Sequence, residues 1–97
     1  MPNPVTHNVA RMRFEAAPQG QLATCDYRRQ GDVLVLHHTE VPPALQGQGV
    51  AADMVRAALA FARGQGLRVR PTCSYVARYM RLHPETLDLL EGGGHAP

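Results

Sequence analysis

Two glycines one residue apart, in Gln46-Gly47-Gln48-Gly49-Val50-Ala51, separate a β-prone stretch from one with helical periodicity. Glycine there lets a ligand approach the backbone closely. The free amides of a helix's first turn, at the positive end of its dipole, favour a phosphate or pyrophosphate. A plain strand-to-helix loop uses the same spacing, and neither the lysine of a P-loop nor a GxGxxG spacing is present. Further along, Cys73 follows a proline-terminated stretch and precedes a helix, where the dipole lowers a thiol's pKa. It is the candidate nucleophile, the alternative being a small buried apolar residue. By period-two parity His38 and Glu40 share one strand face and His37 and Thr39 the other, unless a bulge intervenes. Either His38 or Glu40 is a candidate for proton transfer, or both are hydrogen-bonded structural residues. Tyr75 and Tyr79 lie four apart on one helix face, a spacing that equally serves amphipathic packing. Arg78 and Arg81, on the same helix, are candidates for a phosphate contact or solvated surface.

Strands and helices must bring these groups together. Residues 8–15 alternate apolar and arginine side chains, and residues 21–29 alternate again, with Ala23, Cys25 and Tyr27 opposing Leu22, Thr24 and Asp26. A Gly-containing turn at Gln30-Gly31-Asp32 leads to a buried strand from Val33 to about Val41, which Pro42-Pro43 must end. Ala51, Met54, Val55, Ala58, Phe61 and Ala62 then form one apolar helical stripe, with Asp53, Arg56, Arg63 and Gln65 opposite, and Gly64 and Gly66 to stop it. Leu67-Arg68-Val69-Arg70 reads as a short strand ended by Pro71, parallel to the strand before the helix. Ser74 is the expected cap of a second helix running to about Leu82, and Pro84 the first residue of a third, short one ending near Glu91. Residues 92–97 read as a frayed tail. The expected class is α+β in the order βββαβαα, a mixed sheet of three antiparallel strands and then a parallel one, flanked by helices. One domain spans 1–97, since 97 residues enclose a single core.

Composition narrows the function classes. With 44% hydrophobic and 19% charged residues the chain is globular and not disordered. The basic side chains are all arginine, yet the net charge is only +2, which does not point to nucleic acid. Cys25 and Cys73 form no CxxC pair and stand near no second ligand cluster, so no metal is expected. No apolar run approaches the roughly 18 residues of a membrane span, and the N-terminal stretch lacks the order of a secretion signal. A cytoplasmic location without a membrane partner is expected.

Gln46 to Ala51 matches the Q/R-x-x-G-x-G/A signature of the GCN5-related N-acetyltransferases. His38-Thr39-Glu40-Val41-Pro42, Pro71-Thr72-Cys73-Ser74-Tyr75 and His83-Pro84-Glu85 resemble the small single-domain branch of that family, over roughly residues 14–90. The resemblance implies that the backbone of Gln46, Gly47, Gln48, Gly49, Val50 and Ala51 binds the pyrophosphate of acetyl-CoA. It implies that the strand end at Val41 hydrogen-bonds the pantetheine arm between two splayed parallel strands, where Pro42-Pro43 and Pro71 stop pairing. Cys73 would stand beside the acetyl group, as a contact or as a transient acetyl-cysteine. Glu40 or His38 would accept the amine's proton, directly or through water, and Tyr79, ahead of Tyr75, would protonate the departing thiolate. The implied function is acetyl-CoA-dependent N-acetyl transfer to an unidentified small-molecule or peptide amine. The short acceptor side and the unusual residues around Tyr79 leave a CoA-binding or regulatory module as the alternative. Nothing in the sequence sets the oligomeric state.

Overall fold

Side-chain alternation places the sheet where expected, with one more strand. In the computed structural model, which describes residues 2–92, strands β1 (Thr6–Asn8), β2 (Arg13–Ala16), β3 (Ala23–Gln30), β4 (Val33–Glu40) and β5 (Arg68–Pro71) lie side by side in chain order. Neighbours from β1 to β4 are antiparallel and β4–β5 is parallel, with helix α1 (Val50–Gln65) as the crossover. Helix α2 (Ser74–Leu82) and a 3₁₀ helix (Pro84–Leu89) follow. The α+β class with a mixed sheet flanked by helices therefore holds. The tail lies, apart from Gly92, outside the described residues.

Ala23, Cys25 and Tyr27 of β3, Phe14 and Ala16 of β2, and Leu34 and Leu36 of β4 are buried in one cluster with α1 and α2. Both helices thus pack on one face of the sheet. The stripe that α1 presents is Val50, Met54, Val55, Ala58, Leu59 and Ala62, all buried. Ala51 and Phe61 fall at its margins, only partly buried. Gly64 stays helical, and Gly66, at φ +69°, ends the helix. There the Leu67 amide reaches Ala62 O at 2.8 Å, closing the last turn as only a left-handed residue allows.

Two expected elements differ. The stretch 8–15 is a hairpin and not one strand: Asn8 Oδ1 accepts from the Arg11 amide at 3.1 Å, the Met12 amide donates to Val9 O, and Met12 adopts φ +53°. A side chain that bonds its own backbone competes with the ladder, and alternation of residue types carries no mark of such a turn. Met12, which strand parity put on the apolar side with Phe14, is accordingly 46% exposed. The last helix is 3₁₀, with the Thr86 hydroxyl and amide both on His83 O. It must straighten quickly, because Leu90 bridges to Val69 and the Glu91 amide bonds Val69 O on the outer edge of β5. Arg63 grips Asp88 and Arg70 grips Glu91, each through two nitrogens, and so hold this segment down.

Met54 sits at the middle of α1 with no exposed surface. Alanine there keeps the helix propensity and removes only packing, so Met54→Ala should lower stability by about 2–5 kcal/mol. Chemical denaturation should show a lower midpoint with an unchanged slope.

Candidate functional site

Pairing between β4 and β5 runs from Val33–Arg68 to Leu36–Pro71 and stops. Pro71 itself faces its nitrogen to the outer edge of β5, since the neighbouring Thr72 amide is the one that bonds β4. Beyond that pair, Leu36 O collects the Thr72 and Cys73 amides, each at 3.1 Å, and the Thr72 hydroxyl at 3.4 Å, as the chain turns into α2. β4 continues to Glu40 bonded only to β3. A gap therefore opens beside the second half of β4.

A bulge decides what faces that gap. Tyr27 pairs with Leu36 and Asp26 with His38, which leaves His37 as an extra residue in β4. Parity shifts by one, so Leu36 and Thr39 lie on the helix side of the sheet while His38 and Glu40 turn to the opposite face. There His38 Nε2 and Glu40 Oε1 lie 3.2 Å apart, both exposed.

At the far end of the gap, buried Leu45 anchors a short 3₁₀ turn (Pro43–Leu45), and the glycine loop follows. Gly47 and Gly49 adopt φ +83° and +78°. A Cβ at either would meet no protein atom within 4 Å, so their left-handed backbone, and not crowding, calls for glycine. The Asp53 amide on Gly49 O closes the first turn of α1. The amides of Val50, Ala51 and Ala52 thus have no partner within the helix, and Gly49 offers no side-chain cap. Gln46 Nε2 donates to Val41 O and Gln48 Nε2 to Ala44 O, folding both side chains back onto the loop. A cleft of about 500 Å³, lined by Thr39, Val41, Gly47, Gly49, Val50 and Tyr75 among others, joins these amides to the gap. Gln46, Gly47, Gly49, Val50, Ala51 and Val41 all border this cleft, and Gln48 stands between its two glycines.

Cys73, partly buried, and not the expected Ser74, is the N-cap of α2, with Ser74 already its first helical residue. Burial pulls its thiol up, but the Thr39 hydroxyl, 3.5 Å from Sγ, and the amides of Val76 and Tyr75 outweigh that, leaving it below the ordinary thiol value. No α2 amide makes a capping hydrogen bond to the sulfur, so these amides act as dipoles. Cys25 is the opposite case. It is fully buried in β3, and desolvation pushes its thiol up to about 12.

The two tyrosines separate. Tyr75 lines the cleft, and burial raises its phenol above the ordinary value, which keeps it protonated. Tyr79 lies outside the cleft, buried and stacked 3.9 Å from His83, whose Nδ1 donates to Tyr79 O at 2.8 Å. One turn of helix is about 5.4 Å, enough to take it past the gap. Arg78 and Arg81 are exposed on the same helix, away from the cleft lining. Thr39, which the residue types alone do not single out, is brought against Cys73, while His38 and Glu40 are not. Only the bulge could have revealed this, and no residue type announces a bulge. Among the described residues no group of three or more His, Cys, Asp or Glu could hold a metal, and no helix is long and apolar enough to cross a membrane.

The two thiols should part company under alkylation. Iodoacetamide followed by intact mass should label Cys73 at a pH below that of a free thiol, the rate falling about tenfold per unit once pH drops under its pKa. Cys25 should stay unlabelled until the protein unfolds.

Residues 13–89 match the family described as GCN5-related N-acetyl-transferase. Protein NATD1 of Gallus gallus is 35% identical over 86 residues, spanning 86% of this chain and 78% of that protein. Protein NATD1 of Homo sapiens is 35% identical over 83 residues, spanning 82% and 74% respectively. The solution structure of a GCN5-like protein from Staphylococcus aureus superposes with a TM-score of 0.73 at 24% identity, covering 95% of this chain and 92% of that one. That likeness speaks for the fold, and the matches in sequence for descent. With the glycine loop, the parted strands and these relatives together, the chain belongs to the GCN5-related N-acetyltransferase family.

Proposed function

We propose that the protein is an acetyl-CoA-dependent N-acetyltransferase acting on a small-molecule or peptide amine. The observation that carries the reading is the single cleft joining unpartnered helix amides to a gap between parallel strands. One end suits a pyrophosphate. The other is a slot whose bare strand edge offers backbone groups to an amide-bearing arm. The residues present fit acetyl-CoA in kind: the backbone of Gln46 to Ala51 would hold its pyrophosphate, and β4 near Val41 its pantetheine. When bound, that cosubstrate supplies an activated acyl group.

The chain's own groups then have separable tasks. In the covalent route the Cys73 thiolate attacks the thioester carbonyl, a carbon–sulfur bond to Cys73 forms, and the bond to CoA breaks with release of its thiolate. Tyr75, protonated and in the cleft wall, gives that thiolate a proton. The amine then attacks acetyl-Cys73, forming the amide and returning the cysteine. In the direct route Cys73 lines the acetyl position and the amine attacks the thioester itself. His38 and Glu40 accept the amine's proton only if the amine arrives from the sheet face on which they stand. Positioning alone supplies several kcal/mol toward either route.

Calorimetry should show CoA binding by the wild type and none by Gly49→Val, with circular dichroism unchanged. A β-branched side chain at φ +78° is strained by about 1–2 kcal/mol and projects where the phosphates approach. Equal affinity in the two proteins would remove the cradle from the reading. Release of CoA thiol over a panel of polyamines, amino acids, aminoglycosides and peptides should depend on an amine and rise with pH as the acceptor becomes neutral. Cys73→Ala, Glu40→Gln and Tyr75→Phe belong in the same assay. Tyr75→Phe should lower the rate about 10²-fold and Tyr79→Phe far less. Release at the amine-free rate throughout would favour a CoA-binding module.

A further inference from the structure

Thr39 stands between the chain's two cysteines. Its Oγ1 lies 3.5 Å from Cys73 Sγ and 4.0 Å from Cys25 Sγ. The side chain is there because the His37 bulge turns it to the helix side, opposite Cys25 in register and in the wall of the cleft. We propose that Thr39 is the positioning residue for Cys73: its hydroxyl donates to the Cys73 sulfur, holds that sulfur at the β4–β5 gap and stabilises its anionic form. The inference rests on the reading of the cleft as an acyl-donor site.

The chemistry follows from counting protons. A hydroxyl has one hydrogen to donate, and two sulfurs are within its reach. Cys25, pushed up to about 12 by burial, stays neutral and holds the hydrogen only weakly. Once Cys73 ionises, its charge draws the hydrogen away, because a charge-assisted bond is about twice as strong as a neutral one. In the neutral state Cys25 keeps Thr39 in the same place, so little has to move when the charge appears. Cys25 from β3 is the titratable group that Thr39 links to Cys73, and burial keeps it neutral; Tyr75, two residues on in α2, is likewise held protonated by burial. His38 and Glu40 lie on the other face of β4.

The test is the pH profile of Cys73 alkylation by iodoacetamide, without CoA, in wild type, Thr39→Val and Thr39→Ser. Valine keeps the shape and the β-propensity and removes the hydroxyl. It should move the profile up by about one pH unit, a tenfold slower reaction at neutral pH. Serine should restore the wild-type profile to within about twofold, which a merely structural role would not do. A Thr39→Val profile that coincides with wild type overturns the proposal, as does a Thr39→Ser profile that follows valine. If valine unfolds the protein, the comparison of wild type with Thr39→Ala under the same criteria replaces it. Protection of Cys73 by added CoA is scored separately in each protein. Protection with unchanged profiles refutes the Thr39 role and keeps the cleft reading. Shifted profiles without protection sustain the Thr39–Cys73 coupling and sink the cleft reading.

Discussion

The parallel ladder between β4 and β5 ends at the Leu36–Pro71 pair because the chain turns there into α2, and Leu36 O takes the last β5-side amides that face β4. A central strand left unpaired on one edge would ordinarily expose backbone groups at a cost of about 1–3 kcal/mol for each one buried without a partner. Here the edge borders an open cleft, so water or a bound molecule can satisfy those groups. The turn that follows is held by one acceptor: Leu36 O takes two amides and a hydroxyl from Thr72 and Cys73. That carbonyl fixes where the strand ends, where Cys73 stands and where α2 begins.

The cradle depends on the same arrangement from the other side. α1 is the crossover between β4 and β5, so its first turn emerges at the end of β4 where the strands have parted. Burial of Val50, Met54, Val55 and Ala58 against the sheet holds the helix in that place. A second restraint comes from the N-terminal segment. The Asn3 amide and Nδ2 donate to Asp53 Oδ2 at 2.7 and 2.8 Å, and Arg56 donates to Asp53 Oδ1. Burial raises the Asp53 carboxyl, but these bonds outweigh it and leave it lowered, so the clamp is present above the carboxylate range and lost as pH falls through it. The unpartnered amides of Val50 to Ala52 are thus presented by a helix that cannot easily shift to satisfy them.

Two residues of one type behave in opposite ways because one lies in the core and the other at a helix start, with the Thr39 hydroxyl that the bulge places between them. Cys25 faces the core, where desolvation outweighs the Thr39 hydroxyl near its sulfur. Cys73, outside the cleft lining itself, meets two helix amides and the hydroxyl of Thr39, which does line the cleft. Without the extra residue at His37, parity would turn Thr39 to the opposite face and bring His38 and Glu40 into the cleft. The bulge therefore selects which chemistry the cleft can carry.

Period-two alternation marked Ala23, Cys25 and Tyr27 as one packed face, and 3.6 periodicity marked α1, because both patterns reflect local geometry that every side chain must obey. The prolines at 42, 43 and 71 and the glycines at 47 and 49 were legible for the same reason: their effects on φ and on hydrogen bonding are intrinsic to the residue. Family signatures in the sequence supplied the expectation that ties the glycine loop to acetyl-CoA. The hairpin at residues 8–15, the face taken by His38 and Glu40, and which of Tyr75 and Tyr79 lines the cleft were decided otherwise. Each depends on a backbone turn, an added residue in a ladder or one turn of helix relative to a gap, and those are set by contacts between distant segments. Thr39 shows the limit most clearly: its neighbours, Cys25 and Cys73, are 14 and 34 residues away, and only the folded sheet makes them one site.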